Sequence, residues 1–374
     1  MKKGLIGILT ALAFIASFLL ANYVNDHGVS LHSGLNKTIY WIESLFNDTA
    51  PELNKIPVIA EQTAFKPRQQ YQDVEVGGVR ACKDTSLGEV KYKRVGDIYT
   101  WTDEDDVYHV SDKPPKEGEF KLLNYAGEQV FDYFSLDLNT ENLPYDFNQK
   151  LTQKLNKLFE IYGQLLDRSS LKKVDINLRI YLSKTAFKQI KTKHNMPISD
   201  NTLGFYSHAT NQAYLLLTHH EATMRTAIHE ATHAINRGII GYSPKWLNEG
   251  LAEYSEYIDV VGHNGRVYPN KNWTDNNRMA ETLLPLTVLM TASKKDWNSA
   301  LRARLYATSW AFIYFMMDNQ QKKEMLAKVI RNEQKNLCDV TSQQQVEKLI
   351  GMPVKRLQKQ FGHWARLTLR AQSI

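Results

Sequence analysis

Apolar and polar positions change period several times along the chain, and each change marks an element. Lys2 and Lys3 precede an uncharged, almost continuously apolar run from Gly4 to Ala21. That run is longer than the apolar core of most export signals and sits at the lower limit for crossing a bilayer. A signal peptide and an uncleaved anchor both fit it, and a buried core helix is the remaining alternative. No small-x-small cleavage site is well formed, because Leu19 stands two residues before Ala21, which favours an anchor with the two lysines inside. From Asn22 to about Leu87 no period persists and Pro51, Pro57 and Pro67 interrupt the apolar patches. This stretch reads as a spacer with one short helix around Leu35 to Phe46.

Two aromatic and β-branched runs, Ile98 to Thr102 and Val107 to Ser111, flank the acidic turn Asp103-Glu104-Asp105-Asp106 and predict a β-hairpin. Further on, Leu151, Leu155, Leu158, Ile161, Tyr162 and Leu165 recur at helical spacing within Phe147 to Leu166. A strand is predicted at Val174 to Leu182 and a helix at Ser183 to His194. A second hairpin joins Gly204 to Ser207 with Ala213 to Thr218 around Thr210-Asn211. Beyond Thr223 the pattern is helical, with loops near 262–276 and 290–296. Trp310, Phe312, Phe315, Phe361 and Trp364 in the last helices read as packing.

Composition narrows the classes. The 374 residues are 43% hydrophobic and 23% charged, which excludes a disordered, collagen-like or multi-span membrane chain. A net charge of +6 is spread along the chain without a dense Lys/Arg block, so no nucleic-acid partner is expected. Cys82 and Cys338 could pair if the chain is exported, and their spacing points to no metal.

The chemistry concentrates in His229-Glu230-Ala231-Thr232-His233. Met224 to Ile228 lead in without a helix breaker, Ala231, Ala234 and Ile235 supply an apolar stripe, and Gly238 stands where a helix-capping glycine would. On a helix, residues four apart share a face, so both imidazoles can bind one Zn²⁺ while Glu230 reaches a metal-bound water. A catalytic site of this type needs a third protein ligand and one open position. Ser243-Pro244 starts a second helix, on which Glu249 and Glu253 share a face. His219-His220-Glu221 reads as a solvated strand end.

Two resemblances follow from these residues. Tyr99, Trp101, Asp103, Tyr108, Ser111, Asp112, Pro114 and Pro115 resemble a small domain of unknown function found near the N-termini of bacterial envelope proteins, although Asp106 stands where that family has Gly. His-Glu-x-x-His followed by Trp246-Leu-Asn-Glu-Gly-Leu-Ala-Glu253 resembles the gluzincins, the thermolysin-like and aminopeptidase-like zinc peptidases of the peptidase-MA group. The gap between the motifs is shorter than in the aminopeptidases.

The gluzincin resemblance implies that Glu249 completes the zinc site and that Glu253 supports His229 from behind. It implies an oxyanion-steadying role for Tyr306, and a substrate-binding edge strand at Asn211 to Thr218, represented by Asn211, Ala213, Tyr214 and Leu215. The expectation is an α+β, zincin-like protein, with a mixed sheet followed by a mainly helical half. Residues 1–21 would be a signal or anchor, 22–87 a spacer, 88–118 a hairpin module and 119–374 the catalytic domain. Its activity would be zinc-dependent peptide hydrolysis with Glu230 as general base, acting on a peptide or protein substrate in the periplasmic cell envelope. A catalytically silent zinc scaffold of envelope assembly is the alternative.

Overall fold

The computed structural model describes residues 72–74, 84–95, 98–103, 107–111, 115, 119–123, 128–139, 143–144, 146–196, 202–274, 279–336 and 339–374. The chain divides into two units, and every described residue lies in the second, Lys66–Ile374. The apolar run at 4–21, the spacer helix, Asp106 and both cysteines lie outside the described residues. Among the described residues no helix is long and apolar enough to cross a membrane.

The architecture is mixed α and β, with small sheets and a helical C-terminal half. Strand β1 is Gln72–Val74 and β2 is Tyr92–Val95. The expected hairpin forms from β3 (Ile98–Thr102) and β4 (Tyr108–Ser111), with a third strand, β5 (Lys121–Leu123), on the other side of β3. Asp103 shapes its turn: its Oδ1 accepts from the Val107 amide at 2.9 Å and its Oδ2 pairs with His109 at 2.6 Å. Strand β6 (Glu128–Phe131) pairs antiparallel with β2.

The main sheet has the order β1-β9-β10-β8-β7. Strand β7 is Phe134–Asn139, β8 Val174–Tyr181, β9 Gly204–Ser207 and β10 Gln212–Leu216. β7, β8 and β10 run parallel, β9 runs antiparallel to β10, and β1 lies parallel to β9. Alternation along β10 divides two cores, as period-2 geometry requires. Ala213 and Leu215 enter the large core, which includes helix α1 (Phe147–Leu165) and helix α3 (His220–Ile239). Tyr214 and Leu216 enter a smaller cluster with Phe187 of helix α2 (Lys184–Lys193). Helices therefore cover both faces of the sheet.

Helix α3 contacts β8, β9 and β10, and helix α4 (Lys245–Ser255) packs against α3. Helix α5 (Arg302–Met316) packs along α4, followed by α6 (Gln320–Lys335), α7 (Gln343–Ile350) and α8 (Val354–Trp364). The α4–α5 approach is close at Gly250, where a Cβ would stand 2.8 Å from the backbone oxygen of Ser309. Trp310, Phe312, Phe315, Phe361 and Trp364 are buried, as their pattern predicts.

Three details differ from expectation. Gly238 is inside α3, where its missing side chain makes room for Val174; the helix ends at Ile239 with Ile240 as its cap, and the left-handed residue is Gly241. His220 and Glu221 open α3 instead of ending a strand. The stretch expected as a loop near 262–276 contains β12 (Asn264–Val267), which pairs with β11 (Ile258–Val261) just before that stretch and with β13 (Gln372–Ser373). Four-residue strands carry too few alternations to be told from loop by pattern alone.

Candidate metal centre

Helix α3 is buried almost throughout from Thr226 to Ile239. Its middle turns bring His229 and His233 onto one face, with their rings edge to face at 4.8 Å. Helix α4 brings Glu249 to the same point. Glu249 Oε2 lies 3.6 Å from His229 Nε2 and 3.7 Å from His233 Nε2, and all three side chains are wholly buried. Ligands around a tetrahedral ion with bonds of about 2.0–2.2 Å stand about 3.3–3.6 Å apart, so these separations suit a shared cation. Among the described residues neither oxygen of Glu249 has a hydrogen-bond partner, an expensive state for a buried carboxylate unless a cation faces it. The three side chains could hold a metal ion.

The electrostatics agree. Burial opposes charge on His229, but Glu249 and Glu256 overcome that and raise its pKa to about 10. Burial likewise opposes the charge on Glu249, and His229, His233 and Lys245 outweigh it and hold its pKa below the ordinary carboxylate value. The pocket thus stabilises positive charge where the imidazoles and Glu249 meet.

His229 Nδ1 lies 2.8 Å from Glu256 Oε1. A carboxylate only accepts, so Nδ1 carries a proton, and a cation that displaced the proton on Nε2 would meet that nitrogen's lone pair beside Glu249. The resemblance assigned this support to Glu253, and the hydrogen bond instead goes to Glu256. The reason is helical phase. At about 100° per residue, a residue seven positions after Glu249 returns to within about 20° of it, whereas one four positions on lies about 40° away. Glu256 caps α4 but retains helical backbone angles, so that phase carries through. Glu253 is also buried and close, forming with His229 and Glu256 a second trio able to hold a cation. Its Oε2 accepts from Asn270 Nδ2 at 3.3 Å and from Trp273 Nε1 at 3.4 Å. Sequence reasoning missed Glu256, although its seven-residue spacing was the available signal.

Glu230 is wholly buried and faces β9. A Cβ on Gly204 would come within 2.8 Å of Glu230 Oε1 and 2.6 Å of Thr226 Cγ2, so only glycine lets the strand pass this closely. Tyr306 is buried edge-on against Trp297, with the Arg302 guanidinium over its ring at 5.6 Å. Burial, followed by the charges of Glu249 and Glu253, raises its pKa well above the usual tyrosine value.

The expected substrate edge needs correcting. β10 is an interior strand, hydrogen-bonded to β8 on one side and β9 on the other, so Asn211, Ala213, Tyr214 and Leu215 offer no free edge. β9, the first strand of the hairpin, is likewise enclosed, between β10 and β1. Asn211 serves the turn: it adopts φ 49°, its Oδ1 accepts from Tyr206 at 2.5 Å and its Nδ2 donates to the Asp175 carbonyl at 3.2 Å.

Residues 223–337 match a family described as a protein of unknown function, DUF1570. The DUF1570 match contains His229, Glu230, His233, Glu249, Glu253, Glu256 and Tyr306, and thus the centre with most of its surroundings. It begins after β10 and leaves out α1 and the main sheet. No curated protein matches the chain.

Proposed function

We propose that the chain is a zinc-dependent peptidase with a zincin-like catalytic domain, exported or tethered by its N-terminal apolar run to act in the cell envelope. The observation that carries this reading is the meeting of His229 Nε2, His233 Nε2 and Glu249 Oε2 within 4.8 Å of one another, beside a glutamate on the same helix. Two imidazoles and one carboxylate form a donor set suited to zinc with a position left for solvent. When bound there, the ion supplies Lewis-acid chemistry, acidifying a water and polarising the peptide carbonyl.

The chain's own residues supply the rest. Glu230 takes the water's proton on its carboxylate and passes it to the departing amine nitrogen. Tyr306 keeps its phenolic proton at neutral pH, because burial and the nearby carboxylates disfavour the phenolate, and so serves as a donor to the developing oxyanion. Glu256 fixes the tautomer of His229.

The test is a mixed peptide library with wild-type protein, with chelator, and with Glu230→Gln. Cleavage that is lost on chelation and in Glu230→Gln, with zinc retained by that variant, is the expected result. Stoichiometric zinc with no cleavage would overturn the peptidase reading and leave a zinc-binding scaffold.

A further inference from the structure

One buried polar network lies outside the chemistry described above and joins three elements. Asn236 stands on α3 three residues after His233, and Asn248 stands on α4 immediately before Glu249. Both are buried. Asn236 Nδ2 donates to Asn248 Oδ1 at 2.8 Å and to the Asn248 backbone carbonyl at 3.3 Å. The other end of the same amide accepts from the hydroxyl of Tyr162, which is buried on α1.

We propose that Asn236, with its amide oriented by Tyr162, is a positioning residue that sets the register of the helix carrying Glu249 against the helix carrying His229 and His233. This rests on the metal-centre reading. Apolar contacts between helices are non-directional and tolerate sliding. A bond to both the backbone and the side chain of residue 248 does not, and it acts one residue from Glu249 and one turn from His233. Tyr162 removes the remaining freedom. With its hydroxyl donating to Oδ1, the amide can only present Nδ2 to the two oxygens of Asn248, and a flipped amide would set oxygen against oxygen.

The experiment measures Co²⁺ affinity by chelator competition, and the visible spectrum of the cobalt-loaded full chain. It compares wild type, Asn236→Asp, Asn236→Leu and Tyr162→Phe. Tyr314→Phe is the control, because that hydroxyl lies near the carbonyls of Val267 and Arg370, away from the network. Both Asn236 variants are expected to bind Co²⁺ about 10–100-fold more weakly and to shift the spectrum, as loss of supports around a metal site does. Tyr162→Phe, the milder change should an Asn236 variant fail to fold, is expected to lose about threefold to tenfold on the same grounds. The control should keep affinity and spectrum even where its melting temperature falls. Wild-type affinity and spectrum in Asn236→Asp and Tyr162→Phe would overturn the proposal while leaving the metal centre intact. Failure of the wild type itself to take up Co²⁺ or Zn²⁺ would overturn both, so the two failures are told apart by the wild-type sample.

Discussion

Replacing Glu256 with Gln tests the centre's second layer most directly. The Glu256 carboxylate accepts from His229 Nδ1 at 2.8 Å, with both side chains buried. Glutamine keeps the shape and an acceptor oxygen but removes the charge. A buried hydrogen bond to a charged group contributes about 1.5–3 kcal/mol and a neutral one about 0.5–1.5, so the exchange costs about 1–1.5 kcal/mol of support for His229. If that cost falls on the metal-loaded state, zinc affinity drops about fivefold to tenfold, near the lower end of what losing such a partner usually costs. Glu253→Gln provides the contrast: Glu253 accepts from Asn270 and Trp273, so His229 keeps its partner and affinity should fall less. The assay is competition with a fluorescent chelator at neutral pH, with melting curves to show that each variant is folded. Unchanged affinity in Glu256→Gln beside a tenfold loss in Glu253→Gln would show that Glu253 orients His229, and the helical-phase reasoning would fail.

Other consequences are as specific. Gly204→Ala drives a methyl group into Glu230 and Thr226; hydrolysis should fall sharply while zinc content, read by elemental analysis, stays near one per chain. In the metal-free protein the raised pKa of His229 contributes stability that is fully present below about pH 6.5 and lost as pH rises toward about 10. Melting temperatures over that window should therefore decline, and His229→Gln should flatten the decline. Glu333 is buried with one oxygen accepting from the Thr341 amide at 3.1 Å, and burial raises its pKa from 4.5 to about 7. Its folded form binds the proton more tightly, so its contribution is greatest at acid pH and is lost as pH rises through about 7. Glu333→Gln should shrink the difference in unfolding free energy between about pH 5 and pH 8 by about 2–3 kcal/mol, measured by denaturant titration.

What the sequence disclosed, and what it hid, divides along physical lines. Elements with several repeats of their period were legible: the helix at Phe147–Leu165, the strand at Val174–Tyr181 and the motif helix all lie close to their predicted places. The imidazole pair was legible because spacing on a helix fixes direction, whereas the same spacing left Glu249 and Glu253 both open and the choice of Glu249 came from the gluzincin resemblance. Strand order was not, since a hairpin's own pattern does not say which of its strands meets the rest of the sheet, and the strand expected at the edge has both β9 and β1 beyond it. Glu256 was hidden because it follows the last residue of α4, where continuation of the helical phase depends on backbone angles that composition does not dictate. The network of Tyr162, Asn236 and Asn248 spans more than 70 residues of sequence, and nothing local couples a tyrosine on one helix to an amide on another.

The same centre bears on stability. Four carboxyl groups, those of Glu230, Glu249, Glu253 and Glu256, lie almost wholly buried around two imidazoles, with Lys245 4.0 Å from one Glu249 oxygen. Protonating His229 answers only part of that negative potential. Carboxylates gathered out of water cost several kcal/mol apiece unless opposing charge meets them at short range. An unfolded chain keeps them solvated and apart, so the folded state alone bears the cost and gains most from a divalent cation. Cation uptake and folding should therefore be coupled, and the shape that makes the site chemically capable is also the shape that an ion would help to hold.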